Sequence, residues 1–363
     1  MDNGNGGQGV TKAQVIAMAM VILFQISIVP TPSMLDGPSD RMESSVSNQL
    51  ETYSLYLTTG NNLSTVLPSE GGQLEASALD TSLEFTTNVL MQSLQVVGDK
   101  RQTGGGSQYY IPLNIFLKAE GPQNSIVTWT FSLQAGGSTV ATGELENEAC
   151  SGFGGCDFEH EAIDVDLTGS GGSSSFTVSE SDELVLVIRA EMTGCGDGGF
   201  FNDCDARVAF NQISGDNRYS LIDISTNAVS DTVFFVQRPG DEFIDGAVVD
   251  WYPNDVISDR EMQFSFDVKS AFGRKDIESV ELRLRYTETN QLMLEKDLTP
   301  VPQQIEWTTE GLFGRFKWTY QSGLESGDYE AELRVTDVQS NVFTISHETV
   351  SYTHLTLPTN DLV

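Results

Sequence analysis

The residues most able to do chemistry in this sequence are its four cysteines and the acids beside them. The gap from Cys150 to Cys156, and that from Cys195 to Cys204, is wider than the roughly two to four residues between paired zinc ligands. An even count in an exported chain instead predicts disulfides. Four cysteines allow three connectivities. Local pairing pins two glycine-rich loops, and crossed pairing ties those loops together. Asp197, Asn202, Asp203 and Asp205 crowd the second pair, and their hard oxygens are the ligands calcium takes. Their order is not that of an EF-hand. The plain reading is an acidic, solvated loop braced by a disulfide, with calcium as the alternative cofactor.

Catalytic constellations fare worse. Glu144, Glu146, Glu148, Asp157, Glu159 and Glu161 could supply an acid and a base, but with 52 acidic residues in 363 such clusters arise without function. His160-Glu161-Ala162-Ile163-Asp164 begins like a zinc-protease helix, yet Asp164 stands where the second histidine belongs. With His354 in a suspect tail, only His160 and His347 are left for a nucleophilic triad. No G-x-S-x-G elbow, P-loop or dinucleotide fingerprint occurs, and Gly104-Gly105-Gly106 reads as a polar loop. The expectation is a protein that is not an enzyme. Trp129, Trp251, Trp307 and Trp318 could stack on sugars, although Trp129 and Trp318 sit at alternating positions that suit a core.

The elements that must position these residues read as strands. Ile111, Leu113, Ile115 and Leu117 alternate with Pro112, Asn114, Phe116 and Lys118, and Val127, Trp129, Phe131 and Leu133 alternate with polar neighbours. A period of two sends one set inward and the other outward. Leu184 to Ile188 is a continuous apolar run, predicting a central strand buried on both faces. Asp99 to Ser107, Gly136-Gly137 and Gly169 to Ser175 read as turns. A second alternating block holds Phe264, Phe266 and Val268, then Val280 to Tyr286, Phe316 to Tyr320 and Tyr329 to Val335. Asp36 to Thr59, with Met42, Val46, Leu50, Tyr53 and Leu57 at steps of three and four, predicts a short amphipathic helix or stalk.

The fold class expected is therefore all-β: two β-sandwich domains behind an N-terminal hydrophobic helix. The divisions are 1–32 (signal or membrane anchor), 33–80 (polar stalk or linker), 81–238 (first sandwich), 239–349 (second sandwich) and 350–363 (artefact). Residues 13–29 are apolar apart from Gln14, Gln25 and Ser27, and Pro30 and Pro32 end the run. That length sits at the lower edge of a membrane span and predicts an export signal or anchor, hence a secreted or cell-surface protein. A net charge of −33 repels nucleic acid and anionic lipid headgroups and keeps the chain soluble. Asn62-Leu63-Ser64 matches a glycosylation acceptor. Val350 to Thr359, VSYTHLTLPT, reads as a frame translation of a sequencing-library adapter, so residues 350–363 are expected to be non-biological.

Three resemblances accompany this reading. Phe176-Thr177-Val178 followed by Glu183 to Ile188, with the later Ala206 to Phe210 and Asn217 to Leu221, resembles the jelly-roll sandwiches of galactose-binding-like and carbohydrate-binding modules. That likeness implies a surface for glycans. Gly327 to Asp337 is similar to the late strand of immunoglobulin-like surface domains, which implies a tyrosine, Tyr329, pinning its turn. Lys12-Ala13-Gln14-Val15 resembles the processing site of type IV pilin-like precursors, which implies Lys12, Ala13 and Gln14 as processing residues and a retained anchor helix. The function expected is a non-catalytic binding or adhesion protein whose partner is a glycan or surface protein. The alternatives are a pilin-like or envelope subunit, and the front of a larger secreted enzyme.

Overall fold

The computed structural model describes residues 50–68, 72–104, 106–151, 156–168, 173–195, 204–213, 218–229, 232–237, 249–251, 261–300, 305–320 and 327–351. The apolar segment 13–29, the signal residues Lys12, Ala13 and Gln14, the ligand candidates Asp197, Asn202 and Asp203, and most of 350–363 lie outside the described residues. The described residues fall within one unit of the chain, and apart from the single turn Arg274–Asp276 their regular structure is strand. Among them, no helix is long and apolar enough to cross a membrane.

Two sheet systems follow each other along the chain. The first contains β1 (Glu51–Thr58), β2 (Asn62–Ser64), β3 (Leu74–Ser77), β4 (Ser82–Thr86), β5 (Leu94–Val97), β6 (Asp99–Thr103) and β7 (Gly106–Glu120). It continues with β8 (Ile126–Ala135), β9 (Ser138–Glu148), β10 (Glu159–Leu167), β11 (Ser175–Val178), β12 (Leu184–Thr193), β13 (Asp205–Phe210) and β14 (Leu221–Thr226). Pairing runs β7–β14–β1–β2–β4–β12–β8–β9–β10 and returns to β7, closing a ring. The inward set of each strand is the set its alternation predicts. Ile111, Leu113, Ile115 and Leu117 on β7 and Val127, Trp129, Phe131 and Leu133 on β8 are all in the core, each contributing about 1.5–3 kcal/mol by leaving water. Gly136 (φ +53°) and Gly137 (φ +76°) form the β8–β9 turn. Positive φ at both positions is what a tight hairpin turn requires.

The second system contains β15 (Val233–Gln237), β16 (Val249–Trp251), β17 (Glu261–Lys269), β18 (Ile277–Tyr286), β19 (Gln291–Asp297), β20 (Ile305–Trp307), β21 (Gly311–Thr319), β22 (Gly327–Asp337) and β23 (Val342–Ser351). They form two sheets, β15-β17-β21-β20 and β16-β23-β22-β18-β19. Phe264, Phe266 and Val268 from one, and Val280, Leu282, Leu284, Ala331, Leu333 and Val335 from the other, fill the space between them. Tyr329 is buried at the start of β22 and packs on Tyr286 with ring centroids 5.0 Å apart. Gly327 passes so close that a Cβ there would lie 2.7 Å from the Tyr286 ring.

Four sequence expectations need correction. Asp36 to Thr59 is no helix or stalk from Glu51 onward, because β1 buries Tyr53, Leu55 and Leu57 at a period of two inside the first ring. The steps of three and four passed over Leu55, the residue that sets the true period. Asp99 to Ser107 is not a plain turn, since Asp99–Thr103 pairs with β7 as a polar hairpin arm. Leu184 to Ile188 is central but covered on one face, with Leu184, Leu186 and Ile188 in the core and Val185 and Val187 half-buried. Finally, Val233–Gln237 pairs with β17 rather than with the first ring.

Candidate functional site

Both disulfides are local: Cys150 to Cys156 and Cys195 to Cys204. They indicate an oxidising compartment, and both loops meet the end of β7. The Cys150 N–H donates to Ala119 O at 2.9 Å, the Gly121 N–H to Cys150 O at 3.1 Å, and the Cys156 N–H to Glu120 Oε1 at 3.4 Å. Asp205, directly after Cys204, pairs with Glu120 in the β13–β7 register. Its carboxylate is bound to the Arg207 guanidinium, which also binds Glu75. Asp205 is thus committed to an ion pair, and among the described residues no group of three or more His, Cys, Asp or Glu is placed to hold a metal.

β7 is a 15-residue strand. Along one edge it pairs with β10, and along the other with β6, β14 and β13 in turn. Side chains opposite to its core set form an outer strip. At one end Arg101 on β6 reaches across to β10, with Nη1 2.6 Å from Asp164 Oδ2 and Nη2 2.6 Å from Asp166 Oδ1. Gln108 Nε2 donates to Asp166 Oδ2 at 2.8 Å, and the guanidinium lies 5.4 Å from the centre of the Tyr110 ring.

In the middle, Asp223 Oδ1 accepts from Ser54 Oγ at 2.6 Å and Oδ2 from Asn114 Nδ2 at 3.5 Å. Burial, opposed by the Ser54 bond, holds the Asp223 carboxyl above its ordinary range. At the far end His160 and Arg218 flank the buried Phe116 ring, at 5.0 and 5.6 Å. Lys118 lies 5.3 Å from the Phe158 ring and 3.3 Å from Glu120 Oε1. From Tyr110 to Phe116 the strip is about 20 Å long at the rise of an extended strand. Its polar groups are held by one another, so their orientations are set before any ligand arrives.

The carboxyl candidates for acid–base chemistry are dispersed. Glu144, Glu146, Glu148, Asp157 and Glu159 are exposed, and Glu161 accepts from Asn147 Nδ2 at 3.1 Å. His160 lies on strand β10, not on the helix that a zinc-protease motif needs. The groups displaced furthest from their ordinary values are elsewhere, where the two sheet systems meet. Burial above all, then the charge of Asp337, pushes Asp276 up to about 6, against the bond from Ser270 Oγ at 2.6 Å. Burial, with Asp276 and Asp337, raises the Tyr53 hydroxyl as well. Both residues have no exposed surface. A perturbed acid in a cleft marks catalysis, but these are sealed from any substrate.

No protein-family model and no curated protein matches the sequence. Among solved structures the chain is similar to a GH2 beta-galacturonidase from Eisenbergiella tayi bound to galacturonate, at 8% identity and a TM-score of 0.19. The match covers 73% of this chain and 43% of that one, so the chain spans less than half of that enzyme's length. A likeness at this TM-score carries no argument.

The strip includes three residues that the alternation named, Asn114, Phe116 and Lys118. Sequence reading passed over Gln108 and Tyr110, which continue the same alternation upstream, and Arg101, Asp166 and Asp223, which pairing across strands brings in beside Asp164. Trp129, Trp307 and Trp318 do not contribute. Trp129 is core, and one face of Trp307 is capped by Arg274 at 4.6 Å. Trp318 packs against the core and beside Tyr320. The side chain of Trp251 lies outside the described residues. Asn62 of the glycosylation motif is exposed, and its Nδ2 donates to Thr59 O at 2.8 Å.

Proposed function

We propose that the protein is a non-catalytic, extracellular binding or adhesion protein that holds an extended glycan on the outer face of β7. The supporting observation is the strip from Arg101 and Tyr110 to Lys118 and Phe158, with the buried Phe116 ring beneath its far end. It alternates aromatic rings with carboxylates, amides and cations already fixed by mutual hydrogen bonds. A polyol ligand presents many weak donors and acceptors, and a surface whose groups are ordered in advance loses least entropy in meeting them. The two disulfide loops brace the end of the same strand, as suits a binding face outside the cell. In this reading the first ring is jelly-roll-like, the second sandwich is an immunoglobulin-like spacer, and residues 13–29 tether or export the chain.

A glycan array probed with the secreted chain tests this. Retention of a defined glycan class by the wild type, lost with Tyr110→Ala and Asp166→Ala and kept with Glu144→Gln on the exposed face of β9, supports the assignment. Retention of no glycan overturns it.

A further inference from the structure

We propose that Asp276, Asp337 and Tyr53 form a proton-sensitive latch between the two sandwiches, closed when Asp276 is protonated and loosened when it ionises. The junction is built from opposed pieces. From the first ring come β1 with Tyr53 and Ser54, Thr65 beyond β2, and Met91 and Gln92 ahead of β5. From the second come the Ser270–Gly273 loop, the single turn Arg274–Asp276, and the β22–β23 turn from Asp337 to Asn341. The Met91 N–H donates to Ala271 O at 2.9 Å, and Gln339 Nε2 to Ser54 O at 2.7 Å and Thr65 O at 2.9 Å. Tyr53 packs on Phe272 at 5.7 Å.

The two aspartates sit on the second-sandwich side of these contacts. Asp276 and Asp337 both have no exposed surface. Asp337 has both carboxyl oxygens hydrogen-bonded. Its Oδ1 accepts from the N–H groups of Gln339 (2.8 Å) and Asn341 (2.9 Å), and its Oδ2 from Asn341 Nδ2 (2.9 Å). Asp276 differs. Its Oδ2 accepts from Ser270 Oγ, while Oδ1 makes no close hydrogen bond among the described residues, and the Thr65 hydroxyl from the first ring also faces the carboxyl and favours its charged form. The titratable groups facing it are Asp337 from the β22–β23 turn and Tyr53 from β1. Neither offers a positive charge.

An ionised Asp276 therefore meets a like charge in a buried space, with one oxygen lacking a close donor. That arrangement is costly. Protonation removes the repulsion. The Asp276 carbonyl also accepts from the Val338 N–H at 2.9 Å, tying it to the turn that carries Gln339. Strain at Asp276 is thus delivered to the residue that bridges the sandwiches. The elevation of Asp276 to about 6 agrees with this geometry and places the transition in mildly acidic solution.

Amide hydrogen exchange on the full chain tests the latch, with rates corrected for the intrinsic pH dependence. Protection at the Ser54 and Met91 amides is expected to fall roughly tenfold or more between pH 5 and pH 8, while Phe131 in the first core is unchanged. Asp276→Asn should abolish that difference. Equal protection at both pH values in the wild type, or an unchanged response in the variant, overturns the proposal. Carbon-13 titration of the Asp276 carboxyl in the wild type covers the case of a variant that does not fold. A raised midpoint supports the latch, and an ordinary one refutes it.

Discussion

Gln339 and Ser54 exchange two hydrogen bonds across the junction: the Ser54 N–H donates to Gln339 Oε1 at 2.9 Å, and Gln339 Nε2 donates to Ser54 O at 2.7 Å. A side-chain amide here does the work of a neighbouring strand, since β2 pairs β1 only from Tyr56 to Thr58. Replacing it by alanine strands both Ser54 backbone groups and Thr65 O. Gln339→Ala is expected to cost about 2–4 kcal/mol. The expected signature in urea is early loss of cooperativity between the sandwiches, read as two transitions by probes in each.

The second prediction concerns pH. The Asp276 carboxyl is raised in the folded state, so it binds its proton more tightly there than in the unfolded chain. Its contribution favours folding below pH 4 and is lost as pH rises to about 6. The shift corresponds to about 3 kcal/mol. Wild type and Asp276→Asn should therefore match near pH 4 and diverge to the variant's advantage by pH 7. Urea midpoints across that range, subtracted pairwise, measure this.

Disulfide connectivity predicts both a mass and an energy. Non-reducing proteolysis should release Cys150 linked to Cys156 and Cys195 linked to Cys204, with no peptide joining the pairs. Removing either bridge by paired serine substitution should cost about 2–3 kcal/mol, the loop-closure value for rings of this size.

Gly311 offers a steric test. A Cβ there would lie 2.0 Å from Val268 O, in the backbone of the strand it pairs with. Nothing flexible can give way, so β17 and β21 would have to separate. Gly311→Ala should cost 3 kcal/mol or more, roughly the top of the range for overpacking, and should depress thermal unfolding of the second sandwich first.

Much of the fold was legible because alternation is a local signal. Ile111 to Leu117 and Val127 to Leu133 announce their inward faces without reference to any partner. The ring closure was not legible. It depends on β14 meeting β7 at Leu113 and Asn114, and on β2 meeting β4 at a single pair, Asn62 with Thr86. Neither contact leaves a mark in composition. The strip was half visible for the same reason: Asn114 and Phe116 lie on one strand, whereas Arg101 and Asp166 come together only through pairing. Asp276 and Asp337 gave no signal, because their burial belongs to the junction. The cysteines were recognisable as disulfides, and folding alone chose the pairing.

The central claim, a glycan held along the outer face of β7, is tested most directly by mapping amide chemical shifts while titrating in an oligosaccharide that the array retains. The account predicts saturable shifts at Arg101, Gln108, Tyr110, Asn114 and Asp166, with the outer face of β22 silent. Shifts confined to the second sandwich, or to the exposed face of β9, would contradict it.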